Sequence, residues 1–331
     1  MAVDPRQVAQ RAQKGAFVRF LISRFSSLGD VVCTLPAAVA LKRSFPRCEV
    51  TWVVDPRFAD IVRLCKSVDH VHLAQRKLLE TCREVRTLGD FDAAFDLQGL
   101  LKSGLAVGCC RAKKKLGYHW RREGSWLFSQ RVVPDETSLH VTDQYVDVVR
   151  AAGATMDRAE FDLAPDPEDL KKIRSLVPES ARLALCNAGA GWATKRWPAS
   201  SFARLADRLM TSGWTVAFIG GPSDDEIVQE VYASGAMQAI NLTGKTNIRE
   251  LVALVSLAGV HIGGDTGSTH IAAALGVPAV GLYSVTRPER SCPYGQRANT
   301  LYHPDGLQHI GPEQALQAVE RAVSHNKDND P

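Results

Sequence analysis

Two stretches of one repeating pattern make up most of this chain. In each, a short run of Val, Ile, Leu or Phe is followed by a helix-length amphipathic segment, several times over. In the first stretch, strands are expected over 17–22, 49–54, 70–73 and 93–97, with helices over 31–43, 57–65, 77–86 and 100–109 and a closing helix over 140–151. The pattern then restarts, with strands over 183–187, 215–219, 238–242, 260–262 and 279–283 and helices over 201–211, 224–233, 247–258, 268–275 and 312–323. Strands separated by helices pair in parallel, because a parallel neighbour needs a long crossover. Apolar runs that are continuous rather than alternating mean that helices cover both sheet faces. The fold class expected is therefore α/β, with two successive Rossmann-like domains, and 331 residues suffice for each to bury a core. Residues 162–180 carry three prolines and no long apolar run, which reads as a linker and domain start and sets the expected domains at 1–162 and 163–331.

A formal charge of +4 conceals an asymmetry. Through residue 150 there are 24 Lys and Arg against 16 Asp and Glu; beyond it there are 16 against 20. A basic first half suits an anionic partner, although ordinary solvated surface gives the same count. The first residues carry no export-signal pattern, and no run approaches the ~20 apolar residues of a membrane-spanning helix. The eight cysteines form no C-x-x-C pair and no zinc-type spacing, so reduced, mostly buried thiols of a cytoplasmic protein are expected.

In open α/β sheets ligands bind beyond the C-terminal ends of the strands, so chemistry is sought in the loops that follow them. SSLGD (26–30) turns the first strand into its helix. Asp30 stands where an N-cap would be, and equally where a general base could face a crevice. GGDTGSTH (263–270) combines three glycines and three hydroxyl residues at a helix start, a ready anion site. NAGAGWATKRWP (187–198) brings Lys195 and Arg196 to a third loop, where they suit phosphate or remain solvated. Other signatures fail. GAG at 189–191 lacks the last glycine of G-x-G-x-x-G, Ala239 replaces the first glycine of a Walker loop ending in LTGKT, and neither H-E-x-x-H nor G-x-S-x-G occurs.

In chain order, SSLGDVVCTLPA (26–37), TKRWP (194–198), GGPSDDE (220–226), LTGKT (242–246), GGDTGSTHIAAALGVPAVGLY (263–283) and PYG (293–295) together resemble glycosyltransferase family 9, the ADP-heptose–lipopolysaccharide heptosyltransferases. FDLQGLLKSG (95–104) is similar to the D-x-Q-G-L-x-K-S segment of the heptosyltransferase I branch. The resemblance implies a GT-B glycosyltransferase fold, two Rossmann-like domains facing a central cleft, with acceptor in the N-terminal domain and sugar nucleotide in the C-terminal one. It implies inverting transfer of heptose from ADP-L-glycero-β-D-manno-heptose to the Kdo of Kdo-lipid A in lipopolysaccharide inner-core synthesis, without a cofactor or an essential protein-bound metal. Asp30 would then be the general base and Lys195 the cation that neutralises the leaving diphosphate, with Arg196 beside it. Asp265 would orient the donor, Thr266, Gly267, Ser268 and His270 would meet its phosphates, and Thr246 would lie at the adenine edge. Asp224 would bind the ribose, with Asp225 and Glu226 as competitors. Arg57, Arg63, Arg121 and Arg122 become acceptor contacts and the lysines at 113–115 a membrane-surface patch, on a protein peripheral to the inner membrane with no nucleic-acid partner. Arg196 stands where some members carry His, and the turn at Ala190 and Gly191 lacks the threonines that some use. Another family 9 transferase, a GT-B sugar-nucleotide epimerase and a non-catalytic polyanion-binding module remain open.

Overall fold

The computed structural model describes residues 16–178, 182–189, 192 and 195–327. Described residues up to Leu163 form one compact unit and those from Ala164 another. The first runs β1 (Val18–Ser23), α1 (Leu28–Ser44), β2 (Cys48–Val54), a 3₁₀ turn (Pro56–Phe58) continuing into α2 (Ala59–Arg63), β3 (His70–Leu73), α3 (Leu78–Thr87), β4 (Asp90–Asp96), α4 (Leu101–Cys109), β5 (Arg111–Gly117), a 3₁₀ turn (Ser125–Leu127), β6 (Gln130–Arg131) and α5 (Val141–Arg150). All neighbours pair in parallel, in the order β3-β2-β1-β4-β5-β6. The central strands are apolar on both faces because α1 and α5, packed on each other, cover one of them and α3 and α4 the other.

The second unit runs α6 (Pro167–Arg174), β7 (Arg182–Asn187), α7 (Ala199–Thr211), β8 (Trp214–Ile219), a 3₁₀ turn (Pro222–Asp224) continuing into α8 (Asp225–Ala233), β9 (Ile240–Asn241), α9 (Ile248–Ser256), β10 (Val260–Gly263), α10 (Gly267–Ala274), β11 (Ala279–Tyr283), α11 (Pro288–Ser291), β12 (Thr300–Tyr302) and α12 (Pro312–Lys327). Its sheet, also all parallel, has the order β12-β11-β10-β7-β8-β9. Trp197, Phe202 and Phe218 meet edge to face in its core, and the Trp197 indole donates to the Ile310 carbonyl at 2.9 Å.

Three expectations change. The stretch read as linker contains α6, whose N-cap Asp166 accepts from the Glu168 amide (2.9 Å) while Arg249 of α9 reaches Asp166 (2.8 Å) and Asp169 (2.9 Å). The lysines at 113–115 lie in strand β5 and form no single exposed patch: Lys113 pairs with Asp92 (2.9 Å), Lys114 is buried, and Lys115 donates to the Gly108 carbonyl (2.6 Å). The segment expected as one helix over 57–65 is a 3₁₀ turn followed by the five-residue α2. No disulfide joins any of the eight cysteines, and six of them are buried; burial pushes the Cys186 thiol up to about 12. No helix among the described residues is long and apolar enough to cross a membrane.

Candidate functional site

A crevice opens at the C-terminal edge of a doubly wound sheet where neighbouring strands send their connections opposite ways. In the first unit that point falls between β1 and β4, in the second between β7 and β10. The loops singled out in the sequence are those that follow β1, β7 and β10.

In the second unit, Thr266 precedes α10 in an extended conformation, and its side chain makes no capping bond to the helix. Its first-turn N–H groups therefore keep the partial positive charge of a helix start. Around it the loops after β7, β10 and β11 converge on Asp265. Lys195 Nζ lies 3.1 Å from Asp265 Oδ2, His270 Nε2 lies 3.2 Å from Oδ1, and Thr286 Oγ1 donates to Oδ2 at 2.9 Å. Burial works against the Asp265 charge, but His270 and then Lys195 outweigh it and hold the carboxyl well below the usual carboxylate range. Behind this layer Asn187 Nδ2 donates to Ser268 Oγ (2.8 Å) and Thr266 Oγ1 (3.3 Å), and His261 Nε2 bonds Ser268 Oγ at 3.0 Å. Burial, with the His270 charge close by, drags the His261 imidazole down to about 3, so it is neutral at physiological pH.

A second cluster lies on the β8 side of the same edge. Asp224 Oδ2 accepts from the Gly221 amide at 2.8 Å, and a Cβ on Gly189 would come within 2.2 Å of the Asp224 carboxyl carbon. The Gly244 amide donates to the Gly220 carbonyl (3.0 Å), which ties the loop containing Thr246 to the one containing Asp224. Asp225 instead accepts from Asn241 at 2.8 Å, and Glu226 is exposed on α8. Gly189 joins the two clusters through its amide, which donates to Asn187 Oδ1 at 3.0 Å. Lys195, Asp265, Thr266, Ser268 and His270 are thus brought together with Gly267 at the helix start, and Asp224 and Thr246 sit in adjoining loops. Arg196 is exposed and outside the network. Ala190, Gly191, Ala193 and Thr194, part of the expected loop, lie outside the described residues.

In the first unit Asp30 is not the N-cap of α1. Ser27 is, and Asp30 occupies the third helical position of a capping box, where its Oδ2 accepts from the Ser27 amide (3.1 Å) and hydroxyl (2.8 Å). Asp30 Oδ1 pairs with Arg24 at 2.7 Å; the Arg24 side chain is 6% exposed and that of Asp30 45%. Arg24 is held from behind by the Leu97 carbonyl (2.5 Å) and the Tyr145 ring (5.1 Å). From β4 comes a further brace: Gln98 Oε1 accepts from the Phe25 amide (2.8 Å), and Lys102 Nζ donates to Ser26 Oγ (3.2 Å). Asp96 shapes that brace by accepting from the amides of Gln98 (3.1 Å) and Gly99 (2.9 Å). Gly99 has φ +75°, and a Cβ there would lie 2.2 Å from the Trp120 carbonyl oxygen, so only glycine fits.

The four arginines expected on the acceptor do not form one group. Arg57 folds back on Asp55 (2.9 Å) just beyond β2, and Arg63 pairs with Asp60 (2.8 Å) at the end of α2. Arg121 and Arg122 lie in the loop after β5, where Arg121 donates to the Ser129 carbonyl (2.8 Å) and Arg122 stacks over Trp120 (5.5 Å). Arg24, Thr286 and His261 were invisible as site residues in the sequence. Gln98 and Lys102 carried a signal, since they belong to the 95–104 motif. Among the described residues no group of three His, Cys, Asp or Glu side chains is placed to hold a metal ion.

The sequence pattern of glycosyltransferase family 9 (heptosyltransferase) matches residues 80–314. The lipopolysaccharide core heptosyltransferase OpsX of Haemophilus influenzae is 26% identical over 288 residues, covering 85% of this chain and 83% of that protein. Among solved structures, the family 9 glycosyl transferase from Veillonella parvula superposes with a TM-score of 0.84 at 24% identity, over 93% of this chain and 98% of that one. Escherichia coli heptosyltransferase WaaC with ADP gives 0.76 at 22%, over 92% and 99%. At these identities the structures establish a shared GT-B-like α/β fold.

Proposed function

The chain belongs to glycosyltransferase family 9, and from that premise we propose that it transfers a heptose from ADP-L-glycero-β-D-manno-heptose to the Kdo of Kdo-lipid A, with inversion, at the inner face of the cytoplasmic membrane. The observation that carries this reading is the Lys195–Asp265–His270 network at the start of α10. A diphosphate is the ligand that a helix N-terminus with an aimed lysine receives best. In this reading the α10 amides, Ser268 and Thr266 receive the phosphates, while Asp265 keeps Lys195 and His270 pointed at them. Asp224 takes the ribose hydroxyls and Thr246 the adenine edge. That a structure of the Escherichia coli enzyme was determined with ADP supports the donor class.

Asp30 is the proposed base. Arg24 and Ser27 fix its carboxylate in place while leaving it almost half exposed. The acceptor hydroxyl oxygen bonds the anomeric carbon on the face opposite the diphosphate, the bond from that carbon to the phosphate oxygen breaks, and its electron pair leaves with ADP. The hydroxyl proton passes to Asp30. Lys195 and the helix dipole meet the charge that develops on ADP, where preorganised groups act most strongly. No step routes through a metal or cofactor.

The test incubates the full chain with ADP-heptose and lipid A acceptors that end in one Kdo, in two, or in heptose, and follows ADP release and glycolipid mass. Heptose added to the Kdo-terminated acceptors alone is the expected result. Transfer only to the heptose-terminated acceptor would reassign the chain to a later step of core synthesis. Conversion of the donor without any acceptor would favour an epimerase.

A further inference from the structure

We propose that the loop from β5 to β6, with the residues just past β6, is a lipid-docking surface that seats Trp126 and Leu127 in the headgroup region of an anionic bilayer. The molecule exposes large apolar side chains unevenly. In this stretch Trp120 is 50% exposed, Trp126 55%, Leu127 75% and Val133 69%, and two of the three exposed tryptophans among the described residues are here. The exposure is built in. Gly104 and Gly108 of α4 leave room for Phe128 and Ser125, since a Cβ at Gly108 would come within 2.5 Å of the Phe128 ring and one at Gly104 within 3.0 Å of Ser125. The 3₁₀ turn is thereby keyed to α4 through Ser125 and Phe128, and the Leu127 amide donates to the Gly124 carbonyl at 3.1 Å. Trp126 and Leu127, between those two anchors, are left facing water.

The charge around them selects the occupant. Arg121, Arg122 and Arg131 accompany a single acid, Glu123, between 118 and 133; Asp135 and Glu136 follow, with Asp135 closing its own turn on Thr137 (2.9 Å). Tryptophan beside arginine suits the boundary between acyl chains and anionic headgroups, where the ring is half wet and the guanidinium meets phosphate. A second copy of the chain would instead oppose arginines to arginines. The position fits as well. β5 and β6 lie two and three strands from β1, about 10–15 Å at the usual strand spacing, so the surface and Asp30 share one edge of one sheet. A glycolipid held in the membrane would present its sugar at that distance from Asp30, a purpose that rests on the acceptor reading above; the binding itself does not.

The experiment uses the full chain and vesicles of phosphatidylglycerol with phosphatidylethanolamine, against phosphatidylcholine vesicles, none containing acceptor. The parent protein should sediment with the anionic vesicles and shift its tryptophan emission to the blue. W126S/L127S should bind them roughly tenfold more weakly or worse, with ADP affinity and thermal midpoint unchanged, and R131E should weaken binding less. With acceptor supplied, the double variant should keep transfer to a water-soluble, deacylated acceptor and lose it to a vesicle-embedded one. Equal vesicle binding by parent and double variant, or none by the parent at low salt, overturns the proposal. So does a parent dimer that W126S/L127S makes monomeric. Vesicle binding that follows these variants in a protein that transfers heptose to no acceptor would sink the enzymatic reading and leave the surface standing.

Discussion

The two crevices hold their key side chains in opposite ways. In the second unit the charged groups come from loops adjoining the strands that carry them, and Asp265 is enclosed by Lys195, His270 and Thr286. In the first unit Asp30 stands half exposed, and its bracing comes from a buried arginine behind it and a strap some seventy residues later in the chain. The first arrangement suits a ligand of fixed charge that must be received rigidly. The second suits a group that has to meet a mobile hydroxyl from solvent while its own geometry stays constant.

The contrast is broken or sharpened by four changes, from the largest expected effect down. Asp30→Asn should lower turnover about 10²–10⁴-fold, the usual contribution of a general base, while ADP binding stays at the parent level. Titration of ADP alongside steady-state rates checks it; parent-like turnover would remove Asp30 from the chemistry. Lys195→Ala should weaken both ADP binding and turnover, each roughly ten- to hundredfold, the range of one charge-assisted hydrogen bond. A loss confined to turnover would mean that Lys195 acts only after the donor is seated.

Gln98→Leu removes the partner of the Phe25 amide without touching either charge. It should cut kcat roughly tenfold at unchanged donor KM, with Gln98→Glu recovering part of the loss, because small misplacements of a base are costly. An unchanged kcat would show that Arg24 and Ser27 hold Asp30 unaided. The smallest effect at neutral pH belongs to His261→Gln. His261 titrates near 3 when folded and near 6.5 when unfolded, so the unfolded chain binds the extra proton first. Stability is therefore intact above about pH 6.5 and declines toward pH 4 by up to about 1.4 kcal/mol per unit from this residue. Denaturant melts from pH 7 to 4 should show a shallower decline in the variant, and identical slopes would mean that the buried imidazole is not what titrates.

The same contrast governs what could be read from the sequence. Apolar runs revealed every strand of the sheet centres, and β3 and β11 match their expected bounds. Strand β5 was hidden because its lysines read as surface charge, although pairing with β4 lets Lys113 and Lys115 bend to Asp92 and Gly108 while Lys114 turns inward. The glycine and hydroxyl pattern around Asp265 was legible because those ligands are close in sequence. Nothing near Asp30 announced Arg24 as its partner, since that pairing depends on β1, α1 and α5 packing together. Pro56 explains the shortened α2: it starts a 3₁₀ turn that consumes the residues expected to open the helix.

Gly99 gives the first unit a joint with no clearance. The Trp120 carbonyl rests where its side chain would be, the Arg122 amide donates to its own carbonyl at 2.8 Å, and its neighbour Gln98 grips the backbone ahead of Asp30. Any larger residue at 99 has to push those two loops apart together. A single methyl group there would loosen the tryptophan loop and the carboxylate in one stroke, so the position behaves as a shared hinge pin, and its loss would read genetically as two defects from one substitution.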